Sequence, residues 1–206
     1  MTFADQVRVL SSLAEERPTL VRSKICIGDL ISRNLHLGSF IYQIDDLEIG
    51  KELGAFFDDT SFYLALEAKL RKFTTADYLK IFPPESKKEG RMVTPFSATV
   101  KEGVGECLEK AILVQLRQQP KTLSFLIHGL LGHDATRRNF AHAYNIVFIN
   151  DQGYLVDSQN PTIVKLGEEK TLVPYVAPFT GIERDRVIVH EQWRAGRIYQ
   201  LVPEIG

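Results

Sequence analysis

Cysteine is scarce. Cys26 and Cys107 are the only two in 206 residues, and two thiols in a chain of this size do not build a disulfide framework, so a reducing compartment is expected. Charge of one sign is also missing. Lys and Arg number 25 against 26 Asp and Glu, a formal net charge of -1. No strongly basic or acidic block stands out, so neither nucleic acid nor an anionic membrane is expected as a partner. The apolar stretches are short and interrupted by charge, so no membrane span is expected. Residues 1–10 have no basic segment followed by an apolar one, and a standard secretory signal is not expected. A cytoplasmic location and delivery into a host cytosol by a specialised secretion system both fit such a chain. Repeats and low-complexity tracts are absent too. With 44% hydrophobic residues the chain can bury a core for one domain, or for one domain with an added helical lobe.

The first half is patterned for helix. Phe3, Val7, Leu10 and Leu13 or Ala14 recur at helical spacing, with Thr2 as N-cap and Pro18 as the stop. A short helix is expected over 26–31. Residues 47–72 read as helix-rich, with Thr60 or Ser61 opening a run through Phe62, Leu66 and Leu70. A further helix starts at Thr74 or Thr75 and is closed by Pro83 and Pro84. The stretch 83–91, with prolines, a glycine and mixed charge, is the expected linker or mobile loop. It separates a helical N-terminal region, 1–90, from a core, 91–206.

The second half changes character. In residues 107–118 the apolar side chains of Leu108, Ala111, Ile112, Leu113, Val114 and Leu116 cover most of a helix circumference, which predicts a helix buried on nearly all sides. After an apolar segment at 125–131, strands are expected at 142–149, 153–157, 162–166, 186–190 and 198–202. A polar loop is expected around 134–139. The fold class is therefore α+β, with the sheet packed against the cysteine-bearing helix.

Chemistry is concentrated at three positions in this half. Cys107 stands where a glycine-punctuated loop, Gly103-Val104-Gly105-Glu106, turns into the buried helix. A free thiol has a pKa of about 8.5, and a helix N-terminus or a neighbouring imidazolium favours its thiolate. The Cys107 N–H is a natural first oxyanion donor. Gly103 and Gly105 are expected to let backbone approach in front of the sulfur. Glu106 and Glu109 would oppose a thiolate if they pointed inward, and solvent-facing positions are expected for both. His142 opens a strand whose alternation puts it on one face with Tyr144, Ile146 and Phe148. If the following hairpin turns at Asn150-Asp151, Tyr144 lies opposite Asp157, and His142 and Asp157 become diagonal neighbours on that face. A turn at Asp151-Gln152 would instead move Asp157 opposite Ile146, out of reach. Gly153 is a candidate bulge that sets the register. A thiol, an imidazole and a carboxylate so placed are the parts of a nucleophilic Cys-His-Asp site.

Other polar residues have plainer readings. Cys26 fits a core or half-exposed position. His128, His133 and Asp134 suggest a loop over the site rather than a metal centre, since no ligand spacing repeats. No metal and no cofactor are expected. Trp193 fits packing. Gln159 and Asn160 are candidate substrate contacts, or simply a turn before Pro161. Glu106 and Tyr144 are further oxyanion or substrate-binding candidates.

The run Gly105-Glu106-Cys107 to Ala111, the strand His142-Ala143-Tyr144-Asn145-Ile146-Val147, and Tyr154-Leu155-Val156-Asp157 followed by Ser158 and Pro161 resemble the transglutaminase-like branch of the papain-like cysteine enzymes. The likeness spans residues 103–166; Tyr144 stands where many members have Trp. It implies a papain-like core, with Cys107 as nucleophile, His142 as base and acid, and Asp157 as the orienting carboxylate. Members include transglutaminases, protein-glutamine deamidases (several of them bacterial toxins and effectors), peptidases and amidases. The implied partner is a protein presenting a glutamine or a peptide amide, and deamidation is preferred for so compact a chain. A thiol peptidase or amidase is the alternative within this fold. Arylamine N-acetyltransferases share the Cys, His, Asp order, but their Arg-Gly-Gly and Asp-Val-Gly-Phe-Gly segments are replaced here by Val104-Gly105-Glu106 and Asp157-Ser158-Gln159-Asn160. A binding module that kept the scaffold without turnover is the non-enzymatic alternative.

Overall fold

A computed structural model describes residues 2–18, 20–33, 40–51, 65–66, 68–88, 90–133, 138–159, 162–166, 175–176, 187–193 and 196–203. The chain is mixed α+β, with antiparallel strands dominating its largest sheet. Helix α1 spans Phe3–Glu16 and opens on a reciprocal cap. The Asp5 N–H donates to Thr2 Oγ1 at 3.2 Å, and the Thr2 N–H donates to Asp5 Oδ2 at 3.0 Å, which satisfies two otherwise orphaned donors. It ends just before Pro18, as its sequence predicts.

The expected helix at 26–31 is not there. Gly28 takes a left-handed φ of 87°, and the Cys26 N–H donates to the Asp29 carboxylate at 2.9 Å. That local bond offers the backbone an alternative to helix. The chain then enters a strand, β2 (Leu30–Ser32), which follows a two-residue strand, β1 (Val21–Arg22), and pairs with β3 (Phe40–Gln43). Residues 65, 66, 68 and 69 are helical, but Leu70, expected in the same run, is not, and residues 47–50 form bends and turns; positions 60–64 and 67 of the expected helix fall outside the described residues. Helix α2 (Thr75–Ile81) is capped by Thr74 and Asp77 in the same reciprocal way as α1.

The stretch 83–91 is not a linker. Pro84–Ser86 forms a 3-10 turn, and β4 (Lys87–Lys88) pairs antiparallel with β5 (Arg91–Pro95) across a turn in which Gly90 has a φ of 81°. A glycine before an arginine reads as a loop, and here it serves a hairpin. β5 in turn lies parallel to β3. Hydrogen bonds therefore run across residue 90, and the N-terminal 90 residues supply strands as well as helices.

After α3 (Phe96–Lys101), helix α4 spans Cys107–Gln118. Every residue from 108 to 116 is buried, as the apolar circumference predicts. The large sheet runs in the order β1-β6-β7-β8-β9. Its strands β6 (Ser124–His133), β7 (Arg138–Ile149), β8 (Gln152–Asp157) and β9 (Thr162–Lys165) are antiparallel neighbours, and β10 (Tyr175–Val176) adds to β6. β11 (Val187–Trp193) and β12 (Gly196–Pro203) form a separate hairpin. One face of the large sheet presents Leu126, Ala143, Val147 and Val156 to the α4 side; the other presents Phe125, Ile127, Tyr144, Ile146 and Leu155 to α1. Phe3 of α1 meets Phe148 edge-on, ring centroids 5.3 Å apart.

The β7–β8 turn has two residues, Asn150 and Asp151, at φ 47° and 60°. Both in the left-handed region is the signature of a turn whose twist matches paired strands. Asn145 then pairs with Val156 and Ile149 with Gln152, the register that puts Tyr144 across from Asp157. Gly153 makes no bulge, since it sits in regular register opposite Phe148. Its smallness has another cause: a Cβ there would lie 2.8 Å from Gln6 Oε1 and 2.9 Å from Leu166 Cδ1. Replacing Asn150 by Val puts a β-branched residue at positive φ. The expected loss is about 1–2 kcal/mol of unfolding free energy, read from urea denaturation, whereas Asp151→Gly should be neutral or stabilising.

Candidate active site

Asp157 is wholly buried, and a buried carboxylate must be hydrogen-bonded to be tolerated. One oxygen, Oδ2, meets His142 Nε2 at 2.7 Å; the other, Oδ1, accepts the Gln159 N–H at 2.9 Å. The second bond is a short side-chain-to-backbone turn of the kind aspartate favours. It orients the carboxylate edge that faces the ring. His142 is itself 5% exposed. Pairing of β8 with β7 extends no further than Asn145, so His142 lies beyond the last cross-strand pair, where the ring can turn toward both Asp157 and the start of α4.

With Nε2 taken by Asp157, Nδ1 is the ring nitrogen left for the sulfur. Burial by itself would push the His142 pKa down. The hydrogen bond to Asp157, then the hydrogen bond to Cys107 and the charges of both, outweigh it and raise the ring from 6.5 to about 9. The shift favours the protonated ring at neutral pH, with the Asp157 carboxylate on Nε2 and the Cys107 thiol group as a further hydrogen-bond partner. Cys107 is the first residue of α4 and half-buried, whereas Cys26 is exposed. As a first-turn residue its N–H has no acceptor within the helix.

α4 is tied to β7 by a side chain that sequence reading passed over. Asn145 lies on the helix-facing side of β7, and its Nδ2 donates to the Ala111 carbonyl at 3.1 Å and to Gln115 Oε1 at 3.4 Å. A polar residue in the middle of an apolar strand was the available signal. The loop before Cys107 is tied as well. The Arg71 N–H donates to the Gly103 carbonyl at 2.9 Å, and the Gly105 N–H donates to the Arg71 carbonyl at 2.8 Å. Gly105 does not open space before the sulfur. A Cβ on it would come within 2.9 Å of both Glu109 Cβ and Leu70 Cδ1, so its role is tight packing under the loop.

The expectation that Glu109 faces solvent is overturned, whereas Glu106 stays partly exposed. Glu109 is fully buried, and Arg33 binds both carboxylates, at 3.0 Å to Glu109 Oε1 and 2.6 Å to Glu106 Oε2. Tyr42 donates to Glu109 Oε1 at 2.6 Å. The Glu106 N–H, meanwhile, donates to Glu109 Oε2 at 2.7 Å, so that N–H is engaged in closing the helix start. Nothing in the sequence around Arg33 marks it; its partners are far along the chain.

Tyr144 is not a substrate contact. It is fully buried beside Phe125, Ile127 and Leu155, with its ring centroid 6.3 Å from that of His142. Burial, then the Asp157 charge, hold its phenol well above the ordinary range. Gln159 contributes its backbone to Asp157, while its Oε1 is buried without a hydrogen-bond partner among the described residues. Asn160, Asp134 and Pro161 lie outside the described residues. His128 is not in a loop: it sits within β6, buried, its N–H donating to the Leu20 carbonyl at 2.8 Å. Among the described residues no group of three or more His, Cys, Asp or Glu is arranged to hold a metal ion, and no helix is long and apolar enough to cross a membrane.

Comparison with known proteins finds no family model and no curated protein that matches this chain.

The His142 shift has a testable sign. Asp157→Asn removes the largest group raising the ring, so an NMR titration of His142 should move from about 9 to 6.5 or below. The folded value lies above the unfolded one, so this pair's contribution to stability is complete below about 6.5 and is lost as pH rises through about 9. The difference in thermal midpoint between wild type and Asp157→Asn should shrink over that window.

Proposed function

We propose that this chain is a cysteine acyl-transfer enzyme with a papain-like, transglutaminase-like core, acting on the side-chain amide of glutamine in a protein substrate. One observation carries the reading: a single histidine bridges a buried carboxylate at 2.7 Å and the thiol group at a helix start. A histidine held by a carboxylate and paired with a thiol is what an activated thiol requires.

The chemistry follows from the groups present. The Cys107 sulfur attacks the amide carbon, and the carbonyl electrons move onto oxygen, where the Cys107 N–H can donate to the developing charge. Collapse breaks the C–N bond. The nitrogen leaves as ammonia after taking the proton held on His142, and a thioester remains. His142, now neutral, takes a proton from water as that water attacks the thioester carbon, giving glutamate and the free thiol. An amine in place of water gives a crosslink. Asp157 stays ionised throughout and holds the ring in one tautomer. Protein substrates of the host or the same cell, with the enzyme in either cytosol, fit this reading.

Two measurements test it. Iodoacetamide at neutral pH should modify half-buried Cys107 at least about tenfold faster than exposed Cys26; equal slow labelling would favour a binding module. Incubation with cell-lysate proteins should release ammonia and add about one mass unit at glutamine, without new chain termini. Cys107→Ala should abolish both products. New termini in place of mass gains would indicate the thiol peptidase, and acetyl transfer to an arylamine the acetyltransferase-like alternative.

A further inference from the structure

Two carboxylates stand at the start of α4, one on each side of the sulfur in sequence: Glu106 immediately before Cys107 and Glu109 within the same first turn. Acids are favoured at a helix N-terminus, but they compete there with a thiolate. Water cannot screen Glu109, whose side chain is 0% exposed. Uncompensated, that charge would act on the sulfur through a medium of low dielectric.

Arg33 is the cation that meets both. Its side chain is 12% exposed and reaches Glu106 Oε2 at 2.6 Å and Glu109 Oε1 at 3.0 Å. Its third edge donates to the Tyr78 hydroxyl. The guanidinium carbon lies 4.3 Å from the centroid of Phe73 and 4.8 Å from that of Tyr78, so two aromatic faces hold it in place. The planar fork fits this arrangement of two carboxylates and a phenol; a lysine ammonium would not.

We infer that Arg33 is a positioning residue for Cys107, a fixed positive charge from the N-terminal region that pairs with the helix-start glutamates, offsets part of their negative charge and so keeps the thiolate accessible at neutral pH. The inference rests on the acyl-transfer reading of the site. The charged and titratable groups on the elements around the sulfur are Glu106, Glu109 and the buried Lys110 on α4, Arg33 after β2, Tyr42 on β3, Tyr78 on α2, His142 on β7 and Asp157 on β8. Of these, Arg33, Lys110 and His142 are the cationic groups, and Arg33 is the one seen paired with both glutamates. Arg33 does not titrate in the working range, so it adds no pH step of its own.

The test is the pH dependence of Cys107 alkylation by iodoacetamide, followed by peptide mass spectrometry. Arg33→Met should displace the acid limb of the curve upward by about one pH unit, which is about tenfold slower reaction on that limb. Adding Glu109→Gln to Arg33→Met should bring the limb back. Glu109→Gln alone should move it below the wild-type position, and Arg33→Lys should fall between wild type and Arg33→Met. A purely structural role would alter the thermal midpoint in these variants and leave the limb where it was. A folded Arg33→Met with the wild-type limb overturns the inference. If Arg33→Met does not fold, Glu109→Gln decides alone: an unmoved limb overturns it. Wild-type Cys107 reacting no faster than Cys26 would bring down the acyl-transfer reading together with this one. A fast Cys107 that ignores Arg33 and Glu109 would remove only the role of Arg33.

Discussion

Enclosure of α4 is the constraint on which the rest of the molecule depends. A helix buried along 108–116 has packing partners on every side, so it can neither slide nor rotate without opening voids in the core. The large sheet closes one flank through Ala143, Val147 and Val156, and the N-terminal half supplies Ile31, Tyr42, Leu70 and Phe82 to the same cluster. Asn145 adds direction to this apolar contact, because its bond to the Ala111 carbonyl is made at one register only. The outcome is a helix whose first residue, Cys107, is held at a set height relative to β7.

The second constraint is local and small. A two-residue turn at Asn150-Asp151 settles which residue of β8 meets which residue of β7. A shift by one residue would send Asp157 to the opposite face. With the register as it is, the carboxylate is buried next to the one ring that can use it. Its remaining oxygen is occupied by the Gln159 N–H, and the stacked ring of Tyr144 lies alongside His142. The site is thus built from regular elements, with rigid strands carrying the imidazole and the carboxylate and a helix start carrying the thiol.

Electrostatic balance ties the two halves of the chain together. Arg33, Tyr42 and Tyr78 all come from the N-terminal region, and all three interact at the start of α4, where Cys107 lies. The N-terminal region is therefore not an appendage to the core. It completes the sheets across residue 90 and supplies the countercharge for Glu109, a buried carboxylate that would otherwise stand unpaired.

Periodicity and turn chemistry were enough to read α1, α2, α4 and the β7–β8 register, because each depends on residues within a few positions of one another: Thr74 with Asp77, the apolar ring of α4, Asn150 with Asp151. Cys107 and Asp157 sit at the element ends their sequence marks, but His142 does not open its strand: β7 begins at Arg138 and the histidine lies within it. Where local signals competed, reading failed. The segment 26–31 has helix-compatible apolar spacing, yet Asp29 and Gly28 turn it into a strand entry; the glycine of 83–91 closes a hairpin instead of freeing a linker. Only the tertiary structure decided what surrounds the sulfur. That Glu109 is buried, that Tyr144 faces away from solvent, and that Arg33 pairs with both helix-start glutamates all arise from contacts between distant parts of the chain. Such pairings leave no periodic trace, because a charge becomes costly only once folding has removed the water around it.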